Sequence, residues 1–377
     1  MQTNNIQKSI QCDLWLSKIV YSGDNIGHDF IINFSLGNKS CSITLNGLLH
    51  DETNDVYKLL FSDEYALETT LPLTINITEK DDIPDLGNGS INITLAKHTG
   101  IAGNIKIKIK EQGPKGTPNS EATLNLYFLT RTYELGIKSL TVVDSDGWIV
   151  GYYIQKETME NLGSKVSFPY GLKVRIFKII ATHSSKGFEE KEYFEILEGH
   201  QDKGKNKYGR LIMPKSAKSR FSTIKYEPSA KLEFIITKEK YPNYQGSLVV
   251  YSGNTPIITV NAITAKNSAT LPKGTYELEI PDEPHKGGLA YQFHIPHAKS
   301  WFRIHNTKEK DFHYYLHYGE ISAGCVTVTE KKNNSNKIID VWEPIYQYLI
   351  TRRNRNKNGI VGTIKITYKL QQRNIEC

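Results

Sequence analysis

Most of this chain is written in a two-residue rhythm: short runs in which apolar and polar side chains alternate, separated by Gly, Asn and Asp. Successive side chains of a strand point to opposite faces, so such a run predicts a strand with one face buried and one wet. Within residues 1–133 the pattern recurs at 29–34, 41–45, 73–77, 90–95, 105–109 and 122–128, which predicts an antiparallel β-sandwich. From 134 to 228 it continues at 140–143, 148–153 and 172–177, with a turn at Asp144-Ser145-Asp146-Gly147 and one helical turn over 158–162. This β-rich middle unit ends in a basic, turn-rich linker. A new series starts in the third segment, 229–377, where 246–251 and 257–262 flank Ser252-Gly253-Asn254 and read as a hairpin. Helical spacing of apolar residues appears at 341–350, with Pro344 suited to a first turn, and a strand over 362–368 closes the chain. The expected fold is mainly β and multidomain: a sandwich, a middle β unit, and a C-terminal β domain with one helix.

Several functional classes are excluded by composition. No run approaches the roughly 18 apolar residues a membrane-spanning helix needs, so no transmembrane segment is expected. The start Met1-Gln2-Thr3-Asn4-Asn5 leads into no apolar core, which predicts synthesis in the cytoplasm without a signal peptide. The four cysteines, Cys12, Cys41, Cys325 and Cys377, lie far apart with no metal-ligand spacing, and no motif calls for a cofactor. Net charge is a mild +7. The basic stretch from Lys203 to Lys225 lacks the interleaved aromatics of a nucleic-acid interface and reads as a solvated linker.

One acidic segment, Glu79-Lys80-Asp81-Asp82-Ile83-Pro84-Asp85, lies between two predicted strands. It resembles the acidic inter-strand loop of C2-like sandwiches. Asp81, Asp82 and Asp85 are therefore calcium candidates, since clustered carboxylates supply the hard oxygens Ca²⁺ prefers. A solvated turn explains the same residues more simply.

The strongest chemical signal lies near the end, in His317-Tyr318-Gly319 followed by Ser322-Ala323-Gly324-Cys325-Val326. A thiol is only slightly ionised near neutral pH, so a nucleophilic cysteine needs an imidazole to take its proton. Cys325 follows His317 by eight positions, and the stretch contains Gly319 and Gly324, enough for a turn that brings the two together. Backbone amides of Gly324 and Cys325 are candidates to stabilise an oxyanion.

Together with the hairpin and the segment Thr270-Leu271-Pro272-Lys273-Gly274-Thr275-Tyr276, this set resembles the L,D-transpeptidase (YkuD-like) catalytic domain over residues 232–368, in its short-spaced form. The resemblance implies Cys325 as nucleophile and His317 as base, the second imidazole nitrogen being held by a nearby carbonyl such as that of Tyr318. Ser322 would be a structural or substrate-contacting hydroxyl. It further implies a peptidoglycan stem peptide as substrate, cut as an L,D-carboxypeptidase or rejoined as a transpeptidase. His305 is the rival base, because longer-spaced members separate His and Cys by about this distance. His285, His294, His297 and His313 read as surface or hydrogen-bonded residues, and the aromatics Tyr291, Trp301, Phe302, Tyr314, Tyr315 and Tyr318 mostly as core. Ala323 and Thr327 stand where many members carry His and Arg, which points to a specialised branch. A wall-acting domain without a signal peptide resembles type VI secretion effectors, which implies action at the periplasm or wall of a target cell, a secretion apparatus and a cognate immunity protein. The competing reading is a catalytically inactive wall- or membrane-binding β module.

Overall fold

In the computed structural model, the described residues are 10–370 except 82, 96, 98, 112–119, 142–145, 155–160, 199–209, 215–219, 224, 268–269, 306–313, 330, 333–337 and 358. Of the readings above, Asp82, His313, Cys377, most of the basic linker and residues 142–145 and 158–160 lie outside them. The chain divides into two compact units, one of 1–136 with 182–188 and one of 137–181 with 189–377.

The first unit carries eight strands: β1 (Ile10–Gly23), β2 (Phe30–Leu36), β3 (Lys39–Leu45), β4 (Thr53–Tyr65), β5 (Thr70–Glu79), β6 (Leu86–Thr94), β7 (Gly100–Lys110) and β8 (Glu121–Glu134). They run in the order β3-β2-β5-β6-β7-β8-β1-β4. Between β6 and β7 the ladder is reduced to the pair Leu86↔Lys110, so the sheet folds there into two four-stranded layers. Alternate residues of both layers meet in one core, including Phe30, Ile32, Phe34, Ile75, Ile77, Ile107, Leu124 and Phe128. Phe34 and Phe128 touch edge to face across it, with ring centroids 6.3 Å apart. The alternation read from sequence is thus the burial pattern of a sandwich.

The second unit holds a closed barrel and most of a seven-stranded sheet, of which residues 136, 182–184 and 187–188 belong to the first unit. The sheet comprises β9 (Gly136–Leu140), β10 (Trp148–Ile154), β11 (Asn161–Pro169), β12 (Lys173–Ser184), β13 (Gly187–Ile196), β14 (Arg210–Pro214) and β15 (Phe221–Ser222). Residues 161 and 162, read above as the end of a helical turn, open β11 instead; the pairing of Ile154 with Asn161 fixes them to β10. A short strand, β16 (Glu227–Pro228), follows.

The barrel strands are β17 (Ala230–Lys240), β18 (Asn243–Ser252), β19 (Thr255–Ala265), β20 (Gly274–Glu279), β21 (Phe302–His305), β22 (Tyr314–Tyr318) and β23 (Val326–Val328), then β24 (Lys331–Lys332), β25 (Ile338–Ile339) and β26 (Arg352–Arg353) outside it, and β27 (Ile360–Tyr368). The ring closes as β17-β18-β19-β23-β22-β21-β20-β27. Its interior takes alternate side chains such as Leu232, Phe234, Leu248, Leu278, Phe302, Leu316, Val326 and Ile364, all at most 1% exposed. Helix α1 (Glu343–Ile350) has Pro344 in its first turn and buries Ile345, Tyr346, Leu349 and Ile350. Tyr346 packs on Phe302 at 6.0 Å.

One pairing decides the placement of the motif. β22 and β23 run parallel, with Leu316↔Val326 and His317↔Thr327 opposite each other. Only residues 319–325 join them, so this loop must turn back along β22 before β23 begins. A parallel neighbour ordinarily needs a far longer crossover.

Candidate active site

Every residue of β22 is buried. Tyr314, Leu316 and Tyr318 alternate with Tyr315 and His317, whose face is covered by rings from the segment that precedes β21. Trp301 stacks on His317 with centroids 4.1 Å apart. On the same indole stacks His285, at 4.4 Å. Register carries this face across the neighbouring strands, with Tyr315 opposite Arg303 on β21, while the Tyr315 backbone N–H bonds the Cys325 thiol. Side chains two apart share a strand face, so Tyr315, His317 and Thr327 belong to one surface. Cys325 precedes β23, its thiol bonds the main chain of Tyr315, and no hydrogen bond joins it to His317 among the described residues.

The protonation state of His317 follows from its partners. Nδ1 lies 3.0 Å from the Tyr318 carbonyl oxygen, which can only accept, so Nδ1 carries the hydrogen and donates it. In the neutral ring Nε2 is then a bare acceptor, and the Thr327 hydroxyl, 3.0 Å away, donates to it. Burial pushes the imidazole down to about 4; the Tyr318 carbonyl opposes this, and His285 adds to it. His317 is therefore an uncharged base at neutral pH.

Cys325 is partly buried and free. Burial raises its thiol above the ordinary range, while backbone N–H groups of Tyr315 and of Cys325 itself draw it down. Thiol and imidazole both rest uncharged. The preceding turn is tightly fixed: Ser322 Oγ donates to the Cys325 carbonyl at 2.7 Å and accepts from the Gly324 amide at 3.3 Å. Thr264 Oγ1 donates to the Gly324 carbonyl at 3.1 Å. Gly324 has φ +125°, a conformation that side chains resist, so glycine is needed there. Of the two amides predicted as oxyanion donors, Gly324's is given to Ser322 Oγ and Cys325's to its own thiol.

The remaining sequence candidates fall elsewhere. Tyr318 turns its ring into the core at 2% exposure and serves His317 through its carbonyl. His305 ends β21, opposite Glu277, with an exposed side chain whose Nδ1 is 3.5 Å from Glu279. Strand β22 separates it from Cys325.

Sequence reasoning did not name Asp282, and it read His285 only as a surface or hydrogen-bonded residue and Trp301 mostly as core. Asp282 Oδ1 is 3.0 Å from His285 Nε2, and Tyr315 donates its hydroxyl hydrogen to Asp282 Oδ2 at 3.2 Å. Burial and Asp282 both hold the Tyr315 phenol well above its usual range. The i, i+3 spacing of Asp282 and His285 was visible, but nothing in it said that both would face β22.

A second cluster lies in the first unit. Glu79, Asp81 and Asp85 each offer an oxygen within 4.8 Å of the others. Glu79, 3% exposed, is pushed up to about 7 by burial first and by Asp81, Asp85 and Asp29 next. Its carboxylate packs on Gly27, where a Cβ would stand 1.9 Å from Oε1. A carboxylate set so charged that one member resists ionisation suits a hard cation. Among the described residues no His or Cys joins it.

No protein-family model matches the chain, and no curated protein matches it. Among solved structures, human GIVD cytosolic phospholipase A2 matches with a TM-score of 0.21 and 12% identity over 74% of this chain, which spans about a third (34%) of that enzyme. The paired C2 domains of Extended-Synaptotagmin 2 match with a TM-score of 0.25 and 10% identity, over 60% of this chain and 95% of that one. Likeness at these scores supports no argument about activity.

Proposed function

We propose that the chain is a peptidoglycan-modifying enzyme that attacks L,D-peptide bonds of stem peptides. Cys325 Sγ adds to the scissile carbonyl while its proton passes to His317 Nε2 and from there to the leaving amine. Water then releases the acyl group as an L,D-carboxypeptidase would, or an amine takes it as in a transpeptidase. The reading includes delivery as an antibacterial effector to the wall of a target cell.

One observation supports it: the Tyr318 carbonyl fixes His317 so that Nε2 faces Thr327 of β23, and Cys325 stands two residues before Thr327, its thiol on the backbone N–H of Tyr315. The stem-peptide substrate rests on the motif resemblance of 317–326. Incubation with purified disaccharide-tetrapeptide, read by product mass, tests the whole. Turnover by the wild type and none by Cys325→Ala is expected; an active Cys325→Ala protein refutes the assignment.

A second reading, a wall- or membrane-binding module without catalysis, is favoured by two features. Thr327 occupies Nε2, and burial raises the Cys325 thiol. Selective alkylation of Cys325 in native protein separates the two, since an inert buried thiol does not react.

A further inference from the structure

An acyl-enzyme needs two proton transfers, one to make it and one to resolve it, and this surface holds two imidazoles with different settings. His317 is held by a carbonyl and a hydroxyl, with no carboxylate among its hydrogen-bond partners in the described residues. His285 is held by a carboxylate: its Nε2 is 3.0 Å from Asp282 Oδ1. A carboxylate only accepts, so Nε2 of His285 carries the hydrogen and Nδ1 of the neutral ring keeps its lone pair. Asp282 is itself fixed, its second oxygen accepting from Tyr315 at 3.2 Å.

The two rings share one indole, His317 at 4.1 Å and His285 at 4.4 Å from Trp301. His285 also meets Tyr315 edge-on at 4.5 Å, and the backbone N–H of Tyr315 bonds the Cys325 thiol. The His285 side chain retains 12% exposure, and Asp282 beneath it 7%. An Asp–His couple with no hydrogen-bond partner on Nδ1 among the described residues, partly wet and linked to the thiol through Tyr315, is suited to activating a hydroxyl or amine.

We infer that His285, oriented by Asp282, is the general base of the resolving step, drawing the proton from the water or amine that attacks the Cys325 thioester. The inference rests on the acyl-enzyme reading above. In the step, the incoming oxygen or nitrogen bonds to the thioester carbon and its proton goes to His285 Nδ1. The C–S bond breaks with its electron pair on Cys325 Sγ. The imidazolium, neutralised by Asp282, gives its proton to solvent, and the thiolate takes one up. His317 serves acylation and His285 deacylation.

p-Nitrophenyl acetate separates the steps, because acylation appears as a burst of nitrophenol and deacylation as the steady rate after it. His285→Gln is expected to keep the burst rate within about twofold and to lower the steady rate by about 10²-fold, the usual contribution of a general base. The Cys325 acetyl adduct should then accumulate in the mass spectrum. Asp282→Asn should act in the same direction, because it replaces the charge that stabilises the His285 imidazolium with a neutral amide; it also carries the test should His285→Gln not fold. Burst and steady rate falling together, or an unchanged steady rate, overturns the inference. A burst that survives Cys325→Ala, or no burst from the wild type, instead overturns the acyl-enzyme reading and this inference with it.

Discussion

Acidification tests the buried, neutral state of His317 directly. In the unfolded chain this histidine should titrate near 6.5, whereas in the folded protein burial holds it down to about 4. Below pH 6.5 the unfolded state therefore binds a proton that the folded state refuses, so stability is fully present above that pH and is lost as pH falls toward 4. At ~1.36 kcal/mol per unit, the loss is about 2 kcal/mol by pH 5 and about 3 kcal/mol by pH 4. His317→Gln removes this titration while leaving every other group in place. Urea unfolding followed by tryptophan fluorescence suits the measurement, since Trp301 stacks on the ring in question. Between pH 7 and pH 5 the wild type should lose about 2 kcal/mol more than the variant. Parallel stability curves would show that His317 titrates normally and is not held as an uncharged base by burial.

Three further outcomes follow from other contacts. Thr327→Val leaves the buried Nε2 of His317 without its hydroxyl donor and should cost about 1–3 kcal/mol in urea unfolding, with Thr327→Ser recovering most of it; an equal loss in both would point to packing. Glu198→Ala takes the counter-charge from the guanidinium of Arg353, 5% exposed, which places Nε at 2.9 Å and an Nη at 2.8 Å from Glu198 Oε1 and would keep only the carbonyls of Gly171, Ile350 and Arg352. A loss of about 3–5 kcal/mol is expected, and under 1 kcal/mol would mean water replaces the carboxylate. Glu79, raised to about 7, destabilises the fold as pH rises from its unfolded value near 4.5 through 7. Glu79→Gln should therefore raise Tm at pH 8, and millimolar Ca²⁺ should raise Tm of the wild type but not of the variant; an unchanged wild-type curve removes the cation site.

Strand identity was legible wherever one face is wet. The run 73–77 alternates in sequence, and in β5 Leu73, Ile75 and Ile77 are buried between exposed threonine and asparagine. The hairpin of β18 and β19 was announced by Gly253-Asn254, and α1 by its spacing and Pro344. At 161–162 local preference misled, because pairing with β10 outweighed a weak helical pattern.

What the sequence determined by itself was the chemistry available and its order along the chain: an imidazole, two glycines and a thiol within nine residues, 317–325, of a β-rich segment. Those are local properties, written in side-chain type and spacing. Tertiary structure alone decided which groups face one another. The parallel β22–β23 pairing sets the Cys325 thiol on the Tyr315 backbone N–H and turns Thr327 onto His317. Folding of the 282–301 segment over β22 brings Asp282, His285 and Trp301 to the same surface. Strand partners and their register are chosen by burial summed over the whole barrel, and no window of sequence contains that sum.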